Sequence, residues 1–153
     1  MIIWRIANKA HNTLDGLGGM FVCNVLMFVG GGWHTKGRPI VYTAEHPALS
    51  AMEILVHMDM DIDDLPDYVL LKIQTPDDFE ILDFEIEPSD TALCRQTGDQ
   101  WLELNEHAIA RVPSVVTPDS YNYLINPSHA DAIAIKVVSE VPFVFDGRLL
   151  AGD

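Results

Sequence analysis

An α+β fold is predicted for this 153-residue chain by three observations. Short runs of β-branched and aromatic residues outnumber the stretches with helical spacing. The two kinds do not alternate regularly, as they would in a doubly wound sheet. The apolar period also changes from strand-like to helix-like between Val41 and Ala48. A single domain spanning 1–153 is the simplest arrangement, because a chain of this length buries a real core and no linker, repeat or low-complexity tract divides it.

Residues 2–6 are expected to form the first strand, with Arg5 near its end. Residues 11–19, HNTLDGLGG, read as a turn-rich loop, and residues 20–29 are apolar on every face, which fits a buried strand or a short helix. Three glycines, Gly30, Gly31 and Gly32, then free the backbone for close approach, with Trp33 and His34 directly after them. Arg38 and Pro39 open the buried strand Ile40, Val41 and Tyr42. Pro47 suits a first helical position, and Ala48, Leu49, Met52, Leu55 and Val56 recur at helical spacing. Glu53 lies about 100° around that helix from Met52, at the edge of the apolar stripe, where its carboxyl group can enter a cleft without full burial.

The acidic run 59–67, DMDIDDLPD, has the alternation of a calcium loop, but Asp64 stands where an EF-hand needs glycine and Leu70 where it needs the terminal glutamate. A solvated acidic loop is the expectation there. Residues 68–74 and 79–85 read as two strands joined into a hairpin by Thr75, Pro76, Asp77 and Asp78. Residues 98–105 predict a short helix carrying Trp101 and Leu104, and residues 107–113 a strand that delivers Ser114 just past its end. Residues 121–127, YNYLINP, form a compact aromatic block, and residues 135–138 and 143–145 supply closing strands.

Composition narrows the function. Nine basic against 23 acidic side chains give a formal charge of −14, which opposes direct nucleic-acid binding and attachment to an anionic membrane and suits a basic partner. Cys23 and Cys94 are too few for a disulfide framework or a zinc site, and no apolar run is long enough for a bilayer span, so a cytoplasmic protein without a metal is expected. There is no GxxxxGK[ST] loop, and Ser114 follows Val-Pro, not the elbow of a serine hydrolase. What remains is Tyr42 on a strand, Glu53 on the next helix, a glycine turn bearing Trp33, and a serine and an asparagine from later in the chain. The spacing alone also fits a plain structural role, with Glu53 pairing His57 on the helix surface, Tyr42 in the core and Ser114 capping a turn.

The blocks GGGWHTKGRPIVYTAEHPALSAMEILVHM, TGDQWL, ARVPS, YNYLINPSHADA and FDGRLL, in this order, resemble the RES domain family, the toxin half of bacterial toxin–antitoxin pairs. The resemblance implies a fold similar to ADP-ribosyltransferases, NAD as a substrate cleaved at the nicotinamide–ribose bond, and a helix-turn-helix, Xre-like antitoxin as partner. Homo-oligomerisation stays open. It further implies Tyr42, Glu53 and Ser114 as catalytic residues, with Trp33 and Asn126 at the NAD pocket. The family arginine that clamps the diphosphate is replaced by Gly32, so Arg5, Lys36 and Arg38 become the candidate cations, and the approach over residues 23–30 is longer than the family pattern. Gly32 leaves three readings open: a toxin of attenuated activity, a catalytically inactive RES-fold binding protein that still engages its antitoxin, or a glycine introduced or selected because the active toxin kills its producing host.

Overall fold

The computed structural model describes residues 1–16, 32–35, 37–58 and 65–150. The apolar segment 20–29, Gly30, Gly31, Lys36 and the acidic residues 59–64 lie outside the described residues. Seven strands make one sheet: β1 (Ile2–Asn8), β2 (Val41–Ala44), β3 (Tyr68–Gln74), β4 (Ile81–Asp83), β5 (Ile109–Pro113), β6 (Tyr121–Ile125) and β7 (Lys136–Phe143). Their spatial order is β4-β5-β6-β2-β1-β3-β7, with β4 and β5 parallel and every other pair antiparallel. Helices α1 (Pro47–Leu55), α2 (Thr91–Leu104) and α3 (Gly147–Leu150) and two short 3₁₀ turns complete the described α+β fold.

Alternation along the central strands builds two cores. On β5 and β6, Ile109, Tyr123 and Ile125 join Ile3, Ala7, Val41, Val69, Leu71 and Ile73 on one face. Ala110, Val112 and Leu124, the intervening residues, join Trp33, Ile40, Cys94 and Trp101 on the other, with Tyr42, Leu82 and Phe84 packed against them. Helix α2 covers this second face through Cys94, Gly98 and Trp101.

Helix α1 begins as its sequence predicts. The His46 side chain accepts the Ala48 N–H, and Pro47 takes a position whose N–H needs no helical partner. Its buried residues, Leu49 and Ser50, dock on the β1–β2 region. The β1–β2 register is confined to Trp4 opposite Ala44, so β1 requires another acceptor further along. Ser50 supplies it: its Oγ accepts the Ile6 N–H at 2.9 Å.

Three expected elements are corrected. Residues 79–85 do not form a hairpin with β3, because β4 pairs in parallel with β5 across the sheet. The chain leaves β3 at Thr75, whose buried N–H is claimed by the Met1 carbonyl at 3.0 Å. The two closing strands are one, since Pro142 lies inside β7; as the outermost strand, β7 tolerates a residue with no N–H. Helix α2 starts at Thr91, capped by Asp90, whose carboxyl accepts the Leu93 N–H at 3.1 Å. Gly98 therefore sits within the helix and does not open it.

The reason for glycine at 98 is contact. A Cβ there would stand 1.8 Å from the Trp33 carbonyl oxygen and 2.8 Å from its carbon. Alanine in a helix interior gains up to about 1 kcal/mol over glycine. Here that gain is smaller than the cost of separating α2 from the backbone of residues 32–35, about 1–3 kcal/mol or more for an overpacked site. Gly98→Ala is expected to lower the thermal unfolding midpoint. A higher midpoint would show that the 32–35 turn does not pack on α2.

Candidate active site

Glu53 stands near the end of α1, and its Oε1 accepts two hydrogen bonds from distant parts of the chain: Ser114 Oγ at 2.7 Å and Asn122 Nδ2 at 2.6 Å. Ser114 follows β5 directly, its N–H donating to the Ser120 carbonyl at 2.8 Å, so the tight β5–β6 connection fixes the serine. Its hydroxyl also accepts the Val116 and Thr117 N–H groups at 3.0 and 3.2 Å. One donated proton and two occupied lone pairs exhaust the hydroxyl's capacity. Ser114 therefore orients the carboxyl group of Glu53 and is not set up as a nucleophile. The surface pairing of Glu53 with His57 does not form; α1 ends at Leu55, before His57. Glu53 Oε2 makes no hydrogen bond among the described residues.

Tyr42 belongs to the same face. Ala44 pairs with Asn122 and Tyr42 with Leu124, so Tyr42 and Asn122 are diagonal neighbours across β2 and β6, about 7–8 Å apart in such ladders. The Tyr42 hydroxyl accepts the Trp33 N–H at 3.2 Å and lies 2.7 Å from His34 Nδ1. Burial pushes the Tyr42 pKa well above its ordinary value, with the Trp33 N–H and Arg95 opposing that shift, so the phenol keeps its proton. Burial is also the largest influence on His34 and pushes its pKa down; Asp99 opposes this and Arg95 adds to it. Neutral imidazole is the form this turn holds at neutral pH.

The other sequence candidates divide. Gly32 is exposed at the turn, and a Cβ built on it meets nothing within 4 Å among the described residues. Trp33 contributes its backbone; its indole is buried and stacked on Phe84 with centroids 5.6 Å apart, so it is core and not a ligand surface. Arg38 is held beside the turn by Asp99, Nε to Oδ1 at 3.7 Å, and the same carboxyl accepts the Thr35 N–H at 2.9 Å. Arg5 is not brought to Tyr42. It is buried opposite Leu71 and shares the strand face of Ile3 and Ala7, the first core, while Tyr42 faces the second. Burial lowers its pKa to about 10, partly offset by Asp15.

Asn126 is not brought to the cluster either. It is buried at the far end of β6, donating to Asn105 Oδ1 at 2.8 Å and accepting the Ser128 N–H at 3.1 Å, so it ties the end of α2 to the turn after β6. Asn126→Ala is expected to cost about 1–3 kcal/mol by leaving buried groups unpaired. Urea unfolding checks this, and an unchanged midpoint would show that the Asn105 and Ser128 contacts contribute nothing. The asparagine that meets Glu53 is Asn122, four residues earlier in the same block. Its signal was a polar side chain in step with Leu124 on the inward face of a strand.

A profile of the RES domain family matches residues 2–146. The chain is 36% identical over 154 aligned positions to Toxin Res of Pseudomonas putida, covering 97% of this chain and 99% of the relative. It is 31% identical to the Prs ADP-ribosylating toxin of a Sphingobium species, covering 96% and 95%. Among solved structures, the M. tuberculosis MbcT–MbcA toxin–antitoxin complex contains a chain of similar fold, with a TM-score of 0.71, 14% identity, and coverage of 94% of this chain and 84% of that one. Both the profile and the relatives span nearly the full length, and the chain is a member of the RES domain family.

Proposed function

We propose that this chain is the toxin of a toxin–antitoxin pair and consumes NAD by breaking the bond between nicotinamide and ribose. The observation that supports this best is the Glu53 carboxyl group, oriented through one oxygen by Ser114 and Asn122 with the other oxygen uncommitted among the described residues. When the bond breaks, its electron pair goes to the nicotinamide nitrogen, which becomes neutral, and positive charge develops on the ribose. A preorganised carboxylate stabilises that charge and orients the ribose or the acceptor. The acceptor then bonds to the ribose carbon and gives up its proton. Water, phosphate and a protein side chain are equivalent acceptors for this geometry. Tyr42, on the same sheet face, packs against the nicotinamide end.

Gly32 weakens this activity. No guanidinium rises from the turn at that position to hold the diphosphate, which a protein of charge −14 repels. The same glycine favours a second reading, a RES-fold binding protein without catalysis. The antitoxin partner is proposed from the named relatives and from the fold shared with a chain of a toxin–antitoxin complex. A helix-turn-helix antitoxin would bring the basic, DNA-binding surface that this acidic chain lacks.

The experiment is nicotinamide release from NAD by the purified chain. Slow release that saturates with NAD is expected. No release from the chain or from Gly32→Arg would leave the non-catalytic reading standing.

A further inference from the structure

The Tyr42 hydroxyl is already committed within the protein. One of its lone pairs takes the Trp33 N–H at 3.2 Å, and 2.7 Å away on the other side is His34 Nδ1. Donation from the hydroxyl to Nδ1 gives the buried phenol proton its acceptor and places the imidazole proton on Nε2. Every buried side-chain nitrogen or oxygen among the described residues has a hydrogen-bond partner. Among the described residues no group takes His34 Nε2, and the ring is half-buried. The turn that carries it is fixed from behind by Asp99, through the Thr35 N–H, and by Gly98, and an open groove lined by Thr35, Arg95, Gln96 and Asp99 adjoins it.

We propose that His34 is a substrate-binding residue, its Nε2–H donating to an acceptor oxygen of the dinucleotide while Nδ1 holds the Tyr42 hydroxyl. It stands two residues from Gly32 on the same turn, so it gives that turn a polar ligand contact which glycine cannot. Tyr42 is then a packing surface and an anchor for His34, and the outward hydrogen bond belongs to the histidine. The inference rests on the NAD-consuming reading above.

The two amide substitutions separate the two ring nitrogens. Asparagine places an acceptor where Nδ1 stands, keeping the latch on Tyr42 but losing the outward donor. Glutamine reaches the Nε2 position with an N–H donor and loses the latch. KM for NAD is measured by nicotinamide release, with thermal unfolding alongside, for the chain and for His34→Asn and His34→Gln. Loss of one hydrogen bond to a charged or polar substrate oxygen is expected to raise KM about tenfold in His34→Asn without lowering its unfolding midpoint, whereas His34→Gln stays within about threefold of the parent. A His34→Asn variant with the parent's KM, or a glutamine variant worse than the asparagine one, would overturn the assignment and show that holding Tyr42 is all the histidine does. No NAD turnover by the parent chain or by Gly32→Arg would instead remove the functional reading itself, and this inference with it.

Discussion

Glu53→Gln is expected to reduce the rate of nicotinamide release by about 10²–10³-fold, the scale seen when one preorganised electrostatic group is removed from a reaction centre. The substitution keeps the shape of the side chain and an amide oxygen able to accept from Ser114 and Asn122, the two contacts that fix the carboxyl group at 2.7 and 2.6 Å. What it removes is the charge that opposes the cation developing on ribose. The loss should therefore fall on kcat, with KM for NAD nearly unchanged, because an interaction made only in the transition state contributes little to ground-state binding. Steady-state kinetics over a range of NAD concentrations separate these outcomes. A variant whose KM rises while kcat holds would move Glu53 from the chemistry to substrate binding.

Gly32→Arg is expected to tighten NAD binding by about one to two powers of ten, since a charge-assisted contact to phosphate contributes roughly 1.5–3 kcal/mol and each 1.4 kcal/mol is a decade. Among the described residues nothing lies within 4 Å of a Cβ at this position, so the first atom of the side chain meets no clash there. Of the cations the sequence offered, Arg38 is engaged by Asp99 and Arg5 faces the other core. Calorimetric titration of NAD into both forms measures the effect. Equal affinities would mean that another cation already holds the diphosphate and that glycine here costs nothing.

The parts of this fold that were legible in the sequence are those set by local pattern. Val41 and Tyr42 alternate as a strand, Pro47 and the Leu49 repeat make a helix, and the change of period between them places Glu53 on the element that follows Tyr42. Ser114 was found for the same reason, as the residue just past a strand end. The misplaced elements depend on neighbours distant in sequence. Nothing within residues 79–85 announces that their partner is β5, and Pro142 breaks a strand only where an N–H is needed, a condition set by the edge position of β7. Gly98 reads locally as a helix boundary, yet its role is to admit the Trp33 carbonyl, a contact across more than sixty positions of sequence. The site divides in the same way. Asn122 and Asn126 sit four residues apart in one block, and only the pairing of Ala44 with Asn122 shows which of them reaches Glu53. Arg5 was legible as a cation on a strand, but its face follows from the register with β3.

The measurement closest to the central claim is a single-turnover assay of nicotinamide release in the Gly32→Arg background, with and without Glu53→Gln, at NAD concentrations that saturate both proteins. Binding is then no longer limiting and the chemical step is observed alone. Rapid release is expected, falling by about 10²–10³-fold when the Glu53 carboxylate becomes an amide. Release at the same rate from both proteins would contradict it, because the carboxyl group held by Ser114 and Asn122 would then have no part in breaking the bond.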